Sequence, residues 1–258
     1  MDAGFARGED RWLARLGTLR QVVRQELVGR QLDAHLADTP PRRILDVGCG
    51  QGTQVLRLAR RGHQITALDS SPRLLAALRS ALDADTVDVR ERVRVVRADA
   101  ADLANHFDRA SFDVVLCHGV LMYLPDPAPV LRAIAHVLAQ GGVLSLLVRN
   151  GNALAMRPGL LGDWTNALSA FDGTQYVNRI GVTARADRLS ELAAALAEQG
   201  MSMISWYGVR VFTDTRASDA EVPEGQQLNA LLTCEERAGR TDPYRAVAAL
   251  LHVIAQRQ

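Results

Sequence analysis

Several residues at the ends of apolar runs could do chemistry together. The stretch ILDVGCGQG, residues 44–52, puts Asp46 two positions before Gly48, and Gly50 and Gly52 follow at alternate positions. Glycine lets the chain turn tightly and lets backbone meet a ligand with no Cβ between them. A GxGxxG spacing would suit a pyrophosphate on a helix N-terminus. Here the spacing is GxGxG and an acid precedes it. A carboxylate repels a pyrophosphate and attracts an ammonium or a sulfonium. Asp69 ends the next apolar run, HQITALD, at the distance along the chain where a carboxylate accepts from both ribose hydroxyls. Ala101 and Asp102 follow a third run in RADAADL, where a side-chain acceptor would meet an adenine amino group; Asp99 beside them reads as a turn former. His118 ends a fourth run, FDVVLCHGV. Each residue alone has an ordinary structural use as turn, cap or near-core histidine. Their recurrence at four successive run ends points to a cationic, adenosine-bearing ligand without phosphate, so S-adenosylmethionine is the expected cofactor, held by Asp46, Gly48, Gly50, Asp69, Asp102 and His118.

All 30 Lys-plus-Arg residues are arginine. A GC-rich coding bias is the plain explanation, but the absence of lysine also removes Schiff-base chemistry and a P-loop lysine. A carboxylate acceptor is ionised at neutral pH, since its reference pKa is about 4, and needs a cationic clamp rather than a base. Arg149, Arg157, Arg179 and Arg210 are the candidates for that clamp, with Arg210 in GVRVF the first choice. A hydroxyl acceptor would want a base instead, and His118 or His252 would supply it. The catalytic candidates are therefore Arg210, Arg149 and His118.

The elements that must position these residues alternate. A helical pattern through about 15–37, with Leu19, Val22, Val23, Leu27, Leu32 and Leu36, ends at Pro40-Pro41. Strands RRILDVG, HQITALD, VRVVRAD, FDVVLCHGV and VLSLLVRN then alternate with helices. TQVLRLARRG closes on Gly62, SPRLLAALRSAL opens on Ser71-Pro72, and PAPVLRAIAHVLAQGG is expected to close on its glycines. Such alternation implies βαβ crossovers and a parallel sheet covered on both faces. Residues 151–183 hold Trp164, Phe171 and Tyr176 without a steady period, and a stretch of this length is usually a lid or binding insertion. A helix, RADRLSELAAALAEQG, and a sixth strand, MSMISWYGVRVFTD with a bend at Gly208, follow. Residues 215–225 read as loop, LNALLTCEERAG as helix, and AVAALLHVIAQR as a helix turn and a last strand.

The formal charge of +1 sets up no overall field for nucleic acid or membrane, so attraction to an anion must be local. Cys49, Cys117 and Cys234 are scattered without CxxC spacing, which fits a reducing compartment and no structural metal. MDAGFARGEDRW has no apolar signal core, and no run is long enough to span a bilayer, so the expectation is a cytoplasmic protein with no membrane partner.

The DVGCGQG motif followed by Asp69 resembles the class I S-adenosylmethionine-dependent methyltransferases over about residues 40–258. That resemblance implies an α/β fold: a doubly wound, mostly parallel, seven-stranded Rossmann-like sheet, with LLHVIAQR as an antiparallel last strand beside the sixth. It divides the chain into an N-terminal helical cap, 1–39, and a methyltransferase domain, 40–258, with 151–185 as a substrate-side insertion. More of the chain is similar to the tRNA 5-carboxymethoxyuridine methyltransferase family: GTLRQVVRQELVGRQLDAHL, CHGVLMYLPDP, GGVLSLLVRNGNAL, GVRVF and DPYRAVAALLHVIAQR. This likeness implies esterification of the carboxylate of a modified wobble uridine. It also implies that Arg20, Gly48, Cys49, Asp69, Ala101, Asp102 and His118 contact the cofactor, Arg20 forking onto its carboxylate. The chain departs from the family in QYVNRIGVTARADR, which is only mildly basic where relatives can carry a lysine-rich run, and in HGVLMYL, where relatives can carry an acidic or aromatic pair after the leucine. The expected partner is tRNA, otherwise a small-molecule acceptor. The alternatives are a small-molecule O- or N-methyltransferase that uses 151–185 as a lid, and a cofactor-binding protein without turnover.

Overall fold

A computed structural model of the chain describes residues 7–36 and 40–258. The start of the expected helical cap, its end near 37–39 and the first six residues of the segment read for a signal core lie outside the described residues. Within them the helices are α1 (Glu9–Leu13), α2 (Leu19–Leu36), α3 (Thr53–Ala59), α4 (Pro72–Asp83), α5 (Val87–Glu91), α6 (Leu103–His106), α7 (Ala128–Val137), α8 (Met156–Leu160), α9 (Trp164–Asp172), α10 (Leu189–Glu198) and α11 (Gly225–Ala238). The strands are β1 (Arg43–Val47), β2 (Gln64–Asp69), β3 (Val93–Arg97), β4 (Phe112–His118), β5 (Leu138–Arg149), β6 (Gln175–Val177), β7 (Thr183–Arg185), β8 (Met201–Val209) and β9 (Leu250–Arg257).

Seven strands form one sheet in the order β3-β2-β1-β4-β5-β9-β8, with β6 and β7 apart as a hairpin. β1 to β5 pair in parallel, and β9 runs antiparallel to both β5 and β8. The chain winds from β1 to β3 on one side, then returns to place β4 against the other edge of β1. That reversal leaves a crevice at the carboxyl ends of β1 and β4, where ligands bind in such sheets.

Both faces are covered because the strand cores are apolar throughout. Leu45, Val47, Val115 and Leu146 pack on one side with α7, while Ile44, Val114 and Leu116 pack on the other with α3 and α4. α2 covers the β5-β9-β8 third of the sheet. Its Leu19, Val23, Leu27 and Val28 meet Leu147, Val209, Ala249 and Leu250, and each such fully buried aliphatic side chain stabilises by about 1.5–3 kcal/mol. Local signals start the helices as expected: the Ser71 hydroxyl accepts from Leu74 N at 3.1 Å and caps α4.

Details of two elements differ from the sequence reading. α7 stops at Val137, and the segment Leu138–Arg149 is strand. Leu138 pairs with Phe112, and the register then shifts before Val114 meets Val143. The glycines therefore open a bulged strand instead of closing a helix. A Cβ on Gly142 would stand 2.7 Å from the Ala139 carbonyl oxygen, so only glycine fits. In β8 the irregularity falls between Met203 and Ser205, not at Gly208. Gly208 instead permits a close approach: a Cβ there would stand 2.9 Å from the carbonyl oxygen of Arg245. The strand ends at Val209, so VFTD turns away from the sheet. Residues 151–185, expected as a substrate-side insertion, hold α8, α9 and the β6-β7 hairpin.

Candidate functional site

A cavity of about 220 Å³ opens at the carboxyl ends of the strands. β1 and the turn after it supply Gly48 and Gly50, β2 supplies Asp69, β4 supplies His118, β5 supplies Arg149, and the end of β8 supplies Arg210. α2 contributes Arg20 and Arg24. The 151–185 segment adds Arg157, Tyr176 and Arg179.

One end of the cavity is a glycine turn against two acids. Gly50 has φ +57, and nothing lies within 4 Å of where its Cβ would stand. Since Gly50 lines the cavity, a side chain there would fill space that a ligand could use. Gly50 N donates to Asp69 Oδ2 at 2.9 Å, and Ser71 N donates to Asp69 Oδ1 at 2.9 Å. These bonds fix the carboxylate at the tip of β2. Burial raises the Asp69 pKa above the ordinary carboxylate value, against the pull of the same backbone bonds. Asp46 lies deeper, buried in β1. Burial, then the Asp69 charge, push it up to about 7, with Arg24 opposing. Two acids that both resist ionisation are what a cationic ligand would relieve. With the open Gly50, they fit the cofactor expected from the sequence.

Other residues expected at the cofactor sit differently. Cys49 packs into the core beside Val55 and Leu78, and burial holds its thiol well above the ordinary value. Ala101 and Asp102 lie on an exposed turn after β3, outside the cavity lining. Asp99 accepts from Ala101 N at 3.0 Å and forms that turn. Arg20 lines the cavity, but its guanidinium donates to the carbonyl oxygen of Arg216 at 2.6 Å and to Ser218 Oγ at 3.1 Å. Arg24, one helical turn on, donates to the His118 carbonyl oxygen at 3.2 Å and stacks over the Trp12 ring.

The other end is a cluster of guanidiniums around one acid. Asp214 lies 3.3 Å from Arg210 Nη2, 3.4 Å from Arg149 Nη1 and 3.9 Å from Arg157 Nε. Burial opposes its charge, but Arg210, Arg149, Arg157 and Arg179 together hold it below the ordinary carboxylate value. Burial in turn lowers the Arg210 pKa, and it lowers that of Arg179 to about 10. The Nε atoms of Arg149 and Arg210 are buried without a hydrogen-bond partner. Four cations face one anion, so the cluster can hold at least one more negative group. Arg149 also lies over the Tyr176 ring, 5.6 Å from its centroid, in cation–π contact.

Sequence reasoning reached the arginines but not Asp214, the last residue of the stretch read as the sixth strand. It also missed Glu235. This buried carboxylate on α11 accepts from Val211 N at 2.7 Å, from Phe212 N at 3.1 Å, and from Thr213 N and Oγ1 at 2.8 and 2.6 Å. It thereby holds the turn between Arg210 and Asp214. Its sequence signal is its place: Glu235 follows Leu228, Leu231 and Leu232 at helical spacing, an acid on the apolar stripe of the helix. His252, named as a possible base, is fully buried in β9 and does not line the cavity.

A family model described as a methyltransferase domain matches residues 45–146. The chain is 30% identical over 252 residues to the tRNA 5-carboxymethoxyuridine methyltransferase of Escherichia coli K12, covering 93% of this chain and 90% of that one. It is 38% identical over 189 residues to the ubiquinone biosynthesis O-methyltransferase of Paracidovorax citrulli, covering 70% and 72%. Among solved structures it is similar to the 1,6-didemethyltoxoflavin-N1-methyltransferase of Burkholderia thailandensis with bound S-adenosylhomocysteine. The TM-score is 0.60 at 20% identity, over 100% of this chain and 92% of that one.

Proposed function

Because this chain belongs to the class I S-adenosylmethionine-dependent methyltransferases, we propose that it methylates a carboxylate gripped by the arginines around Asp214, the carboxylate being that of 5-carboxymethoxyuridine in a tRNA. The observation that carries this reading is the surplus of cations: Arg149, Arg157, Arg179 and Arg210 face a single acid, with two buried Nε–H groups unpartnered. A carboxylate arriving there would take those donors and offset the mutual repulsion of the guanidiniums. The likeness to the Escherichia coli enzyme along 93% of the chain supports a tRNA as the molecule that brings it.

When bound, the cofactor supplies an electrophilic methyl on a positively charged sulfur. Asp69 and the Gly50 turn hold one end of the site, with the buried Asp46 beneath them lending negative charge. Arg149 and Arg210 orient the acceptor so that one carboxylate oxygen points toward that end while the other is held. Fixing the reacting groups in near-attack contact, roughly 3–3.5 Å apart, supplies most of the acceleration such a displacement needs. No side chain has to remove a proton, because the acceptor is already an anion.

The Paracidovorax relative favours a second reading, O-methylation of a small hydroxyl compound. That acceptor would need a base. His118 is the imidazole that lines the cavity, and burial, then His252 and Arg24, hold its pKa well below the ordinary value, which makes it a feeble one. The test is methyl transfer from radiolabelled cofactor into bulk tRNA and, separately, into a metabolite extract. Label in RNA that mild alkali releases supports the ester; label only in metabolites would replace the first reading with the second.

A further inference from the structure

Behind the cavity wall a line of polar side chains crosses the apolar core. His118, Ser145, His252 and Tyr207 share one face of β4, β5, β9 and β8, because Leu116 pairs with Ser145, Ser145 with Ile254, Leu147 with His252, and His252 with Tyr207. α2 lies on that face and brings Gln31. Ser145, His252 and Gln31 are fully buried. His118 Nε2 lies 2.8 Å from Ser145 Oγ, Ser145 Oγ lies 2.7 Å from His252 Nε2, and His252 Nδ1 lies 2.7 Å from Gln31 Oε1. Gln31 Nε2 donates to the Gly208 carbonyl oxygen at 3.4 Å.

The directions of these bonds are forced from the far end. The Gly208 carbonyl can only accept, so the Gln31 amide must turn its NH2 to it and its oxygen to His252. That oxygen can only accept, so His252 carries its proton on Nδ1. A neutral His252 then has a bare Nε2, which accepts a hydrogen bond from the Ser145 hydroxyl. The serine oxygen is left to accept, so His118 must donate from Nε2. We propose that Gln31, His252 and Ser145 are positioning residues that lock His118 as the neutral imidazole protonated on Nε2, leaving Nδ1 as a fixed hydrogen-bond acceptor for a donor group of the bound cofactor or acceptor.

The surroundings fit this role. His118 Nδ1 has no partner among the described residues and is not sealed among the buried unpartnered atoms. The charged and titratable groups near the pair are Arg24, which donates to the His118 carbonyl, His35 with Tyr207, which are bonded to each other at 2.8 Å beside His252, and Asp46, which lies on the same sheet face opposite Leu116. Among the described residues Asp46 makes no hydrogen bond to either imidazole, and burial, then His252 and Arg24, hold the His118 pKa well below its ordinary value. Burial, then His35, lower the His252 pKa to about 3. The line also ends in an amide and a backbone carbonyl, which offer no proton sink. It therefore fixes a tautomer and does not shuttle protons. This inference stands whether the acceptor is a carboxylate or a hydroxyl.

The test is long-range proton–nitrogen correlation NMR on the 15N-labelled full chain, with and without S-adenosylhomocysteine. The expected spectrum shows two histidines of opposite tautomer, His118 protonated on Nε2 and His252 on Nδ1, unchanged between about pH 6 and 8, where a free histidine titrates. Added S-adenosylhomocysteine, or the acceptor, should move the His118 Nδ1 resonance. Ser145→Ala should mix the His118 tautomers and weaken binding of whichever molecule moves Nδ1 by about three- to tenfold, the worth of one hydrogen bond; Ser145→Thr should restore both. Wild-type His118 protonated on Nδ1 would overturn the assignment, as would a Ser145→Ala protein whose His118 pattern is unaltered. The wild-type spectrum decides even if Ser145→Ala does not fold.

Discussion

Arg210 Nη2 stands 3.3 Å from Asp214 Oδ1, and Arg210 itself leaves β8 in the left-handed region at φ +64. A non-glycine residue in that region costs on the order of 1–3 kcal/mol. The turn it makes brings the guanidinium and its acid to the same wall of the cavity as Arg149, so the strain coincides with the candidate acceptor site.

Arg210→Gln removes one charged fork from that wall. A hydrogen bond to a charged group is worth about 1.5–3 kcal/mol, or roughly 10- to 100-fold. The expected outcome is a KM for the acceptor raised by that factor, with S-adenosylhomocysteine affinity by calorimetry within about twofold of wild type. An equal loss of cofactor affinity would move Arg210 to the other end of the cavity.

Asp46 should make cofactor binding pH-dependent. Its folded pKa of about 7 lies above an unfolded value near 4. The native chain binds the extra proton between those values, so this group's contribution to stability is present below the unfolded value and is lost as pH rises through about 7. A cationic ligand favours the ionised carboxylate. Binding below pH 7 should release a proton, and affinity should strengthen as pH rises toward 7. Calorimetry in buffers of different ionisation heat measures the release directly. Asp46→Asn should abolish it; an unchanged release would assign the proton to Asp69.

Two glycines of the same turn should fail differently. At Gly48, φ is +71 and a Cβ would stand 2.3 Å from Val120 Cγ2, so Gly48→Ala combines strain with a clash in the core. At Gly50, φ is +57 and the space is open toward the cavity. Gly50→Ala should lower stability by only about 1–2 kcal/mol, while its methyl group would intrude into the end of the cavity proposed for the cofactor. Thermal melts with and without S-adenosylhomocysteine separate the two. Gly48→Ala should shift the apo midpoint more, and Gly50→Ala should lose more of the ligand-induced shift.

The sheet was legible because its strands are short apolar runs bounded by turn residues, and a period of two or of 3.6 follows from burial. Exposure and period part company on α9: Trp164, Leu168 and Phe171 fall at i, i+4 and i+7 yet are 68%, 68% and 71% exposed, so their spacing marks a helix without a core face. At Leu138 the run VLAQGG suits a helix end as well as a strand start, and only pairing with Phe112 decides. The glycine turn and Asp69 were legible because they are local. The arginine cluster was legible in kind but not in its centre. Asp214 joins Arg149 from 65 residues away and accepts from Arg20 across 194, and spacing along the chain carries no trace of such contacts. The tautomer line was hidden for the same reason, since His118, Ser145, His252 and Gln31 come from four elements.

Glu235 is the clearest case of a residue that acts on the site without reaching it. Its two oxygens accept four bonds from Val211, Phe212 and Thr213, the residues between Arg210 and Asp214. Glu235→Gln replaces one acceptor oxygen by a donor. With the amide nitrogen at the Oε2 position, only Val211 N faces a donor; with it at Oε1, three donors do, so the first orientation is expected. One buried donor left unsatisfied costs about 1–3 kcal/mol, read as a lower melting temperature. Glu235→Ala strands all four donors and should cost more. The functional consequence should fall on the acceptor, because the 211–213 turn sets the Arg210–Asp214 spacing while the Gly50 turn lies on other strands. Acceptor KM should rise in Glu235→Gln with cofactor affinity preserved. A variant that melts earlier yet keeps the wild-type acceptor KM would reduce Glu235 to a stabilising residue and leave the arginine cluster to position itself.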